Sequence, residues 1–363
     1  MLMTEPASLR AFCAENRMWQ GIPGIERTKG GRIFACFYSG GITEQMGNFA
    51  ALVKSDDGGK TFSEPIAVAD MGDKARAYDS ALWIDPLGRL WFIWSVMPES
   101  RVEFAVCDKP DAEVLEWSPV RLMGHDVMLN KPIVTRGGDW LFPMAVWDPR
   151  LVTGSAGGSD GVHETGAHVL RTRDQGATFE IIGTVIAPDR WFDEHMLLEK
   201  QDGTLDMYIR TKYGIGKASS ADGGCTWSEA ADSGLGGPNS RFCMRRLHSG
   251  RVLLVNHYQF TGRSHLTAML SDDDGATFPH KLLLDERREV SYPDVCEDDE
   301  GGIYIIYDHE RGAQYEKDAD YSAHEREILM AKITEDDIVS GEVHTPGSAL
   351  RMTVSRLGPR RRA

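Results

Sequence analysis

Acidic, basic and phenolic side chains recur in this sequence where short apolar segments begin or end. Six such segments begin at residues 21–23, 78–80, 130–131, 193–195, 239–241 and 292–294, and their partners end at 38–39, 94–95, 147–148, 210–212, 257–258 and 307–308. Carboxylates, imidazoles and phenols are side chains that transfer protons in general acid–base catalysis. If the fold gathers these ends on one face, we expect a polar ligand site there.

Three cations in this set predict an anion site. Arg210 and Arg241 lie at the ends of neighbouring segments, and Lys131 lies at the start of another. A guanidinium group binds a carboxylate through two parallel hydrogen bonds, so two arginines and a lysine favour a carboxylate ligand. An acidic sugar is the simplest ligand of this kind.

The composition restricts the partners and the compartment. The 363 residues include 40 Lys and Arg against 55 Asp and Glu, for a net charge of −15. An acidic chain without a basic stripe is a poor nucleic-acid binder, and no apolar run approaches the ~20 residues of a membrane helix. The six scattered cysteines form no CxxC pair, which predicts free thiols, a cytoplasmic location and no metal. No pattern calls for an organic cofactor.

A repeated octapeptide indicates the architecture. The pattern S/T-x-D-x-G-x-T-F/W begins at Ser55, Thr172, Ser220 and Ser271, and a degenerate copy near Cys107 fills the one long interval between copies. In each copy the aspartate can accept backbone N–H bonds within its own turn, and the final aromatic residue can pack between sheets. We interpret these segments as turns that stabilise the fold rather than as calcium or sugar sites.

Glycine-centred turns between apolar strands form a second, independent series. They lie at Gly31, Gly88, Gly138, Gly203, Gly250 and Gly302. Units of about fifty residues with hairpins and β-branched or aromatic strands predict four-stranded blades, and a closed ring of blades leaves no exposed sheet edge. The sequence therefore predicts an all-β protein, a six-bladed β-propeller in a single domain over residues 1–363. The repeats cover roughly 18–335, with short terminal extensions.

The blade geometry places the polar segment ends on one face. Each glycine turn joins the first two strands of a blade, so the start of the first strand and the end of the second share the opposite face. First strands lie near the propeller axis, so their starts converge on a central funnel. Asp294 and Tyr307 join the candidate ligand contacts there, whereas Arg263 and Arg311 follow long loops and are harder to place.

The octapeptides carry a resemblance to a known family. They resemble the Asp-box (BNR) repeats of the sialidase/neuraminidase superfamily, over residues 18–335. Glu194, Arg210, Arg241 and Tyr292 match the family's carboxylate, arginines and tyrosine in type, order and spacing. The resemblance implies that Tyr292 is the nucleophile, that Glu194 activates its hydroxyl, and that the arginines hold a substrate carboxylate. A free phenol has a pKa of ~10, so it needs such a base.

Two positions depart from the family pattern. Gly21 precedes an Ile-Pro pair where the family has its first arginine, and Asn48 lies nearest to the place of the usual acid/base aspartate. Asp79 could instead protonate the leaving oxygen. His195 is a second candidate, because the ordinary pKa of histidine lies near neutrality.

Three functions fit these observations. The leading hypothesis is a sialidase-like exo-glycoside hydrolase acting on a terminal sialic acid-like or uronic acid residue. The first alternative is a polysaccharide lyase, in which Tyr292 or His195 removes the proton α to a uronate carboxylate. The second is a glycan-binding propeller without activity, which would keep the aromatic and cationic residues but needs no matched acid and base.

Overall fold

The strands of the protein form six separate antiparallel sheets. A computed structural model describes residues 1–125, 127–148, 164–259, 262–311 and 324–358. Five of the sheets have four strands, and the first has a fifth strand contributed by the N-terminus. Each sheet takes its strands consecutively from the chain and packs against the next, which makes a ring of blades. The predicted all-β, six-bladed propeller is confirmed.

The blades follow one another in chain order. The first three contain β1 (Leu2–Met3), β2 (Trp19–Arg27), β3 (Ile33–Gly40), β4 (Phe49–Ser55), β5 (Ala67–Ala69), β6 (Arg76–Ile84), β7 (Leu90–Met97), β8 (Arg101–Cys107), β9 (Arg121–His125), β10 (Ile133–Val134), β11 (Trp140–Val146), β12 (Gly166–Thr172) and β13 (Glu180–Val185). The last three contain β14 (Arg190–Glu199), β15 (Leu205–Thr211), β16 (Gly214–Ser220), β17 (Ala231–Asp232), β18 (Cys243–Arg246), β19 (Val252–His257), β20 (Ser264–Ser271), β21 (His280–Arg288), β22 (Val290–Glu297), β23 (Ile303–His309), β24 (Glu327–Ile333) and β25 (Ala349–Arg356). Because β25 completes blade six, the last repeat extends beyond the predicted limit at residue 335.

Helices are few and short. The α-helices are α1 (Pro6–Leu9) and α2 (Glu335–Ser340), and the 3-10 helices cover Arg10–Phe12 and Ala14–Asn16. Helix α2 begins at a capping box between Thr334 and Asp337 and ends at Gly341, whose φ of 78° suits glycine. No helix in the described ranges is long and apolar enough to cross a membrane.

The core lies between the blades. Every residue of the central strands β7, β11, β15, β19 and β23 is buried. Both faces of these strands pack against neighbouring blades, which is why they read as continuous apolar runs rather than alternating ones. All six cysteines are free thiols, as predicted.

The Asp boxes act as turns between the third and fourth strands. In the box of blade five, Asp273 accepts from the backbone N–H of Thr277 at 2.7 Å and from its hydroxyl at 2.6 Å, and the Ser271 hydroxyl donates to Asp273 at 2.8 Å. The same bonds recur at Asp57, Asp174 and Asp222. The threonine hydroxyl and N–H bonds lower the pKa of Asp273 to about 2. The boxes are therefore satisfied within their own turns.

Two buried carboxylates of blade six help to close the ring onto blade one. Asp308 accepts from the backbone N–H of Ile22 at 2.8 Å, and Asp294 accepts from that of Ile25 at 2.9 Å. The Gln20 side chain donates to the carbonyl of Arg326 at 2.6 Å. The two carboxylates thus satisfy backbone N–H groups of β2, and the Gln20 amide satisfies the carbonyl of Arg326 in blade six.

We predict that the box aspartates stabilise the fold without a metal. Asp273→Ala removes three bonds within the turn and should lower the thermal unfolding midpoint by a few degrees. Asp272→Ala removes only the exposed pairs with Arg251 and His280 and should have a smaller effect. Differential scanning calorimetry in EDTA should give an unchanged midpoint for the unmodified protein. A fall of several degrees in EDTA would instead indicate a structural cation.

Candidate active site

Four inner strands carry a bulge at the end that faces the funnel. The strand register shifts between Gly21 and Gly24, Tyr78 and Ala81, Arg190 and His195, and Ser291 and Asp294. Ile22, Asp79, Asp193 and Tyr292 lie at these shifts with φ values of 56°, 44°, 50° and 56°. Positive φ in non-glycine residues is strained, and bulges redirect side chains near functional sites. At these bulges a strained backbone conformation turns the side chains away from the regular strand pairing.

Tyr292, Glu194 and Arg210 meet at one buried point. The Tyr292 hydroxyl donates to Glu194 Oε1 at 3.1 Å, and Arg210 Nη1 lies 3.0 Å from the Tyr292 oxygen and 2.9 Å from the same Glu194 oxygen. Their exposed fractions are 5%, 6% and 3%. Arg210 is held in turn by the side chain and carbonyl of Asn239. A phenol beside a carboxylate base and a guanidinium group is the arrangement that an activated nucleophile needs.

Two further arginines lie against the Tyr292 ring. The guanidinium carbon of Arg311 is 4.1 Å from the ring centroid, and that of Arg263 is 5.2 Å from it. Burial and the Glu194 carboxylate raise the pKa of Tyr292, and the three neighbouring arginines oppose that rise. Burial and the nearby Arg311 lower the pKa of Arg263. The resting phenol is therefore neutral and surrounded by positive charge.

Arg311 occupies the space that a side chain at position 21 would fill. A Cβ atom built on Gly21 would overlap Arg311 Cδ and lie 2.7 Å from Cγ. The Arg311 guanidinium pairs with Asp308 at 3.3 Å and Glu44 at 3.2 Å. Arg311 therefore fills the space that Gly21 leaves, and an arginine at position 21 would not fit beside it.

Asp79 lies in the same charged environment. Burial, followed by the Glu194 and Glu44 carboxylates, raises the pKa of Asp79 to about 7, while Arg76 and Arg311 act in the opposite sense. Among the described residues, no donor forms a hydrogen bond to its carboxylate. A carboxyl group with this pKa is partly protonated at neutral pH and can donate a proton.

Glu44 is a charged residue of this region that the sequence analysis did not single out. It lies on the loop between β3 and β4, four residues before Asn48. Asn48 accepts from the N–H of Gly41 at 2.9 Å and donates to the carbonyl of Thr43 at 2.8 Å, so its amide holds the loop. The only sequence signal was the position of Glu44 in the stretch before the first Asp box.

His195 is not brought to Tyr292. Its Nδ1 lies 2.8 Å from the carbonyl oxygen of Asp193, and its Nε2 lies 2.8 Å from that of His168, between blades four and three. Burial lowers the pKa of His195 to about 4. The ring is neutral at physiological pH and both its nitrogens face backbone oxygens.

Arg241, Lys131 and Asp294 form a separate layer on the axis, which we call the axial layer. Lys131 pairs with Glu26 at 2.8 Å and Asp294 at 3.0 Å, and Arg241 lies 3.7 Å from Asp294. Arg241 also donates to Asn130 at 2.7 Å. Arg241 therefore contacts Asn130 and Asp294, whereas Arg210 contacts Tyr292 and Glu194.

Tyr307 also lies away from Tyr292. Its hydroxyl donates to Asp285 at 3.1 Å, and its ring belongs to the apolar core between blades five and six. Burial and Asp285 raise its pKa well above the ordinary value. Its contacts are those of a core residue.

Aromatic rings line the funnel between blades one and four. Tyr38, Tyr78, Trp147 and Phe192 follow one another with centroid separations of 6.4, 6.1 and 5.2 Å. The Tyr38 hydroxyl and Glu194 Oε2 are buried without a hydrogen-bond partner in the described part of the chain. Buried polar atoms of this kind usually have partners, so their presence points to a polar ligand. No group of three His, Cys, Asp or Glu residues within the described ranges could hold a metal.

Comparison with known proteins supports the architecture. A sequence profile of the family described as BNR repeat-like domain matches residues 117–305, which is more than half of the chain. No curated protein sequence matches significantly. Six antiparallel blades, four of them with an Asp box, form a propeller with the fold of the sialidases. The chain belongs to the BNR repeat-like domain family.

Solved structures with the same fold belong to proteins named for different activities. A Hadza microbial sialidase superposes with a TM-score of 0.64 at 19% identity, over 80% of this chain and 64% of that one. The leech intramolecular trans-sialidase gives 0.67 at 13%, over 91% and 70%. An α-L-arabinanase from Penicillium chrysogenum gives 0.58 at 12%, over 88% and 94%. The chain thus spans about 64% of the length of the Hadza microbial sialidase, and the fold alone does not define a substrate.

We predict that Asp79 makes stability depend on pH. Its folded pKa of about 7 lies above the ordinary value of 3.8, so its contribution is full below pH 4 and is lost as the pH rises through 7. Asp79→Asn should therefore gain stability relative to the unmodified protein between pH 4 and 8, on the order of 4 kcal/mol. Asparagine tolerates the positive φ at this position.

Urea denaturation at several pH values measures this difference. Asp73→Asn alters an exposed aspartate on the preceding loop and should show no such trend. A constant difference between Asp79→Asn and the unmodified protein from pH 4 to 8 would contradict the raised pKa.

Proposed function

We propose that the protein is an exo-acting glycoside hydrolase that cleaves a terminal acidic sugar through a Tyr292 nucleophile. The observation that carries the proposal is the buried contact of the Tyr292 hydroxyl with Glu194 at 3.1 Å and Arg210 at 3.0 Å. This contact places a phenol, a base and a cation at one buried point. It supports a chemical role for Tyr292.

A neutral nucleophile suits a substrate that carries its own carboxylate. A carboxylate nucleophile would be repelled by a carboxylate on the anomeric carbon, whereas a phenol is not, and tyrosine nucleophiles are known among glycosidases. As the Tyr292 oxygen bonds to the anomeric carbon, its proton passes to Glu194. The arginines around the ring then stabilise the negative charge that develops on the phenol oxygen.

The proton donor for the leaving group is assigned to Asp79. Its pKa of about 7 leaves a large protonated fraction at neutral pH, as a general acid requires. Glu44 contributes indirectly, because its negative charge helps to keep Asp79 protonated. In the second step water attacks the anomeric carbon and gives a proton to the Asp79 carboxylate, while the bond to the Tyr292 oxygen breaks and Glu194 returns its proton to that oxygen.

The arginines and the axial layer indicate the class of substrate. Arg210, Arg263 and Arg311 concentrate positive charge at the Tyr292 ring, which favours a sugar carboxylate as the group held. The axial layer of Lys131, Arg241 and Asp294 lies below this point. The proposal includes an exo mode of action, because the positive charge at Tyr292 suits the carboxylate of a single terminal sugar.

The products of acidic oligosaccharides test the reaction type. Oligosaccharides that end in uronate or nonulosonate residues are incubated with the protein, and products are followed by mass and ultraviolet absorbance. Gain of one water per cleavage supports the proposal. A conjugated double bond without added water would assign a lyase, and saturable binding without products would assign a glycan-binding protein.

We predict that Tyr292→Phe lowers kcat for hydrolysis by about 10²-fold or more, because it removes the nucleophilic oxygen and keeps the ring. Tyr304→Phe is the matched control in the same blade. Tyr304 donates to Asp298 at 3.0 Å and lies outside the funnel, so its loss should leave kcat near the original value. A fully active Tyr292→Phe enzyme would refute the nucleophile assignment.

We predict that Arg311 and residue 21 can exchange roles. Arg311→Ala should lower kcat/KM for the acidic substrate by about 10–100-fold, the range for hydrogen bonds to a charged group. Gly21→Ala should have a similar effect, because its methyl group displaces the Arg311 stem. The double variant Gly21→Arg/Arg311→Ala should recover part of the loss.

Steady-state kinetics of the four proteins measure the exchange. If the double variant is no better than Arg311→Ala while circular dichroism shows an intact fold, then Arg311 does not replace an arginine at position 21.

A further inference from the structure

The propeller has a second cavity at the opposite end of its axis, which we call the lower cavity. Its volume is about 660 Å³, within the range of small-molecule sites. Inner-strand residues of blades two to six line it, on the side of the glycine turns. Part of its wall is apolar and includes Trp83, Ile133, Met196, Leu198 and Met244, and the rest carries charged and polar side chains.

The axial layer lies between the lower cavity and the funnel. Lys131 and Asp294 line the lower cavity, as does Val295. Tyr292 precedes Asp294 by two residues on the same strand, β22. A ligand in the lower cavity would therefore contact residues that the proposed hydrolysis does not use.

The base of the lower cavity carries three cations. Lys131, Arg241 and Arg245 face the two carboxylates of Glu26 and Asp294. The lining includes five lysine or arginine side chains and three carboxylates, and Lys200 and Arg246 also pair with Asp274 outside the lining. Arg245 forms no ion pair in the described ranges, although Glu26, Asp294 and Glu297 lie near enough to interact with its charge.

The two cysteines at this base do not supply negative charge. Burial raises the pKa of Cys243 to about 12 and raises that of Cys296 further. Both thiols are neutral at physiological pH. Neither thiol therefore adds negative charge beside Arg245.

Arg245 has hydrogen-bond donors that no described residue accepts. Its Nη1 donates to the carbonyl of Val295 at 3.1 Å, and within the described ranges it forms no ion pair and no other hydrogen bond. Its neighbour Arg246 differs, because it donates to the carbonyls of Glu199 and Gly250 and pairs with Asp274. A guanidinium group with free donors at the base of an apolar cavity favours an anionic ligand.

We propose that the lower cavity binds an amphipathic organic anion, with its oxyanion head on Arg245 and its apolar body along the Trp83, Met196 and Met244 wall. The charged head would balance the unpaired cation, and the apolar body would cover side chains that now face an open cavity. The proposal does not depend on the glycosidase assignment.

Isothermal titration calorimetry with three probes tests the class of ligand. Decanoate, as monomer, should bind at one site per chain. Decanol lacks the charge and acetate lacks the apolar body, so each should bind at least 10-fold more weakly. Absence of saturable decanoate binding, or equal binding of decanol, would overturn the proposal.

Substitutions locate the binding site. Arg245→Met keeps the apolar stem and should weaken decanoate binding by about 10–100-fold, while Arg245→Lys should recover part of it. Arg10→Met removes the same charge from an exposed N-terminal position and should have no effect.

The funnel arginines could also attract a carboxylate, so a further variant separates the two ends. Arg210→Met should leave decanoate binding unchanged if the ligand occupies the lower cavity. Loss of binding in Arg210→Met, with binding retained in Arg245→Met, would place decanoate in the funnel and overturn the proposal.

Discussion

The carboxylate of Asp294 joins four parts of the ring at its axis. It lies on blade six, accepts from the N–H of Ile25 in blade one, and pairs with Lys131 and Arg241, which precede blades three and five. Six inner strands that converge on one axis bring their polar residues out of water together. Each buried charge must then find a partner from another blade, because an unpaired one is costly. The arrangement of the axis follows from this requirement.

The same burial gives the funnel its chemical character. The charged residues of the axial layer form ion pairs with one another. In the funnel, carboxylates, a phenol and guanidinium groups lie close together with fewer compensating contacts. In a medium of low polarity their pKa values separate, upward for Asp79 and Tyr292 and downward for Arg263. A resting enzyme of the proposed type needs a protonated acid and a neutral nucleophile at one pH. Burial keeps Tyr292 neutral and Asp79 partly protonated. The proposed mechanism assigns no step to a metal or a cofactor.

The repeats made the architecture predictable, because each copy reports a turn whose bonds are local. The contact of Tyr292 with Glu194 and Arg210 could also be predicted from the sequence. All three residues lie at strand ends, and counting residues from the glycine turns gives the position of a strand end along the propeller axis. Counting gives height along the axis but not the direction of a side chain. Arg241, His195 and Tyr307 occur near the counted heights, yet their side chains turn into the axial layer or between blades. Bulges and neighbouring charges decide that direction, and neither can be read from one strand.

Residues on loops account for the remaining differences between the sequence prediction and the structure. Arg311 and Glu44 reach the funnel from segments whose path has no periodic signal, and they contact each other at 3.2 Å although 267 residues separate them. The space at Gly21 exists only because glycine lacks a side chain, and it is filled from blade six. A missing residue at a strand position therefore does not imply a missing group in the site. In a closed ring the last blade lies beside the first, so a long side chain from one can enter the space left by the other. For this reason, the departures at Gly21 and Asn48 are better judged by the charges around Tyr292 than by the residues at those two positions.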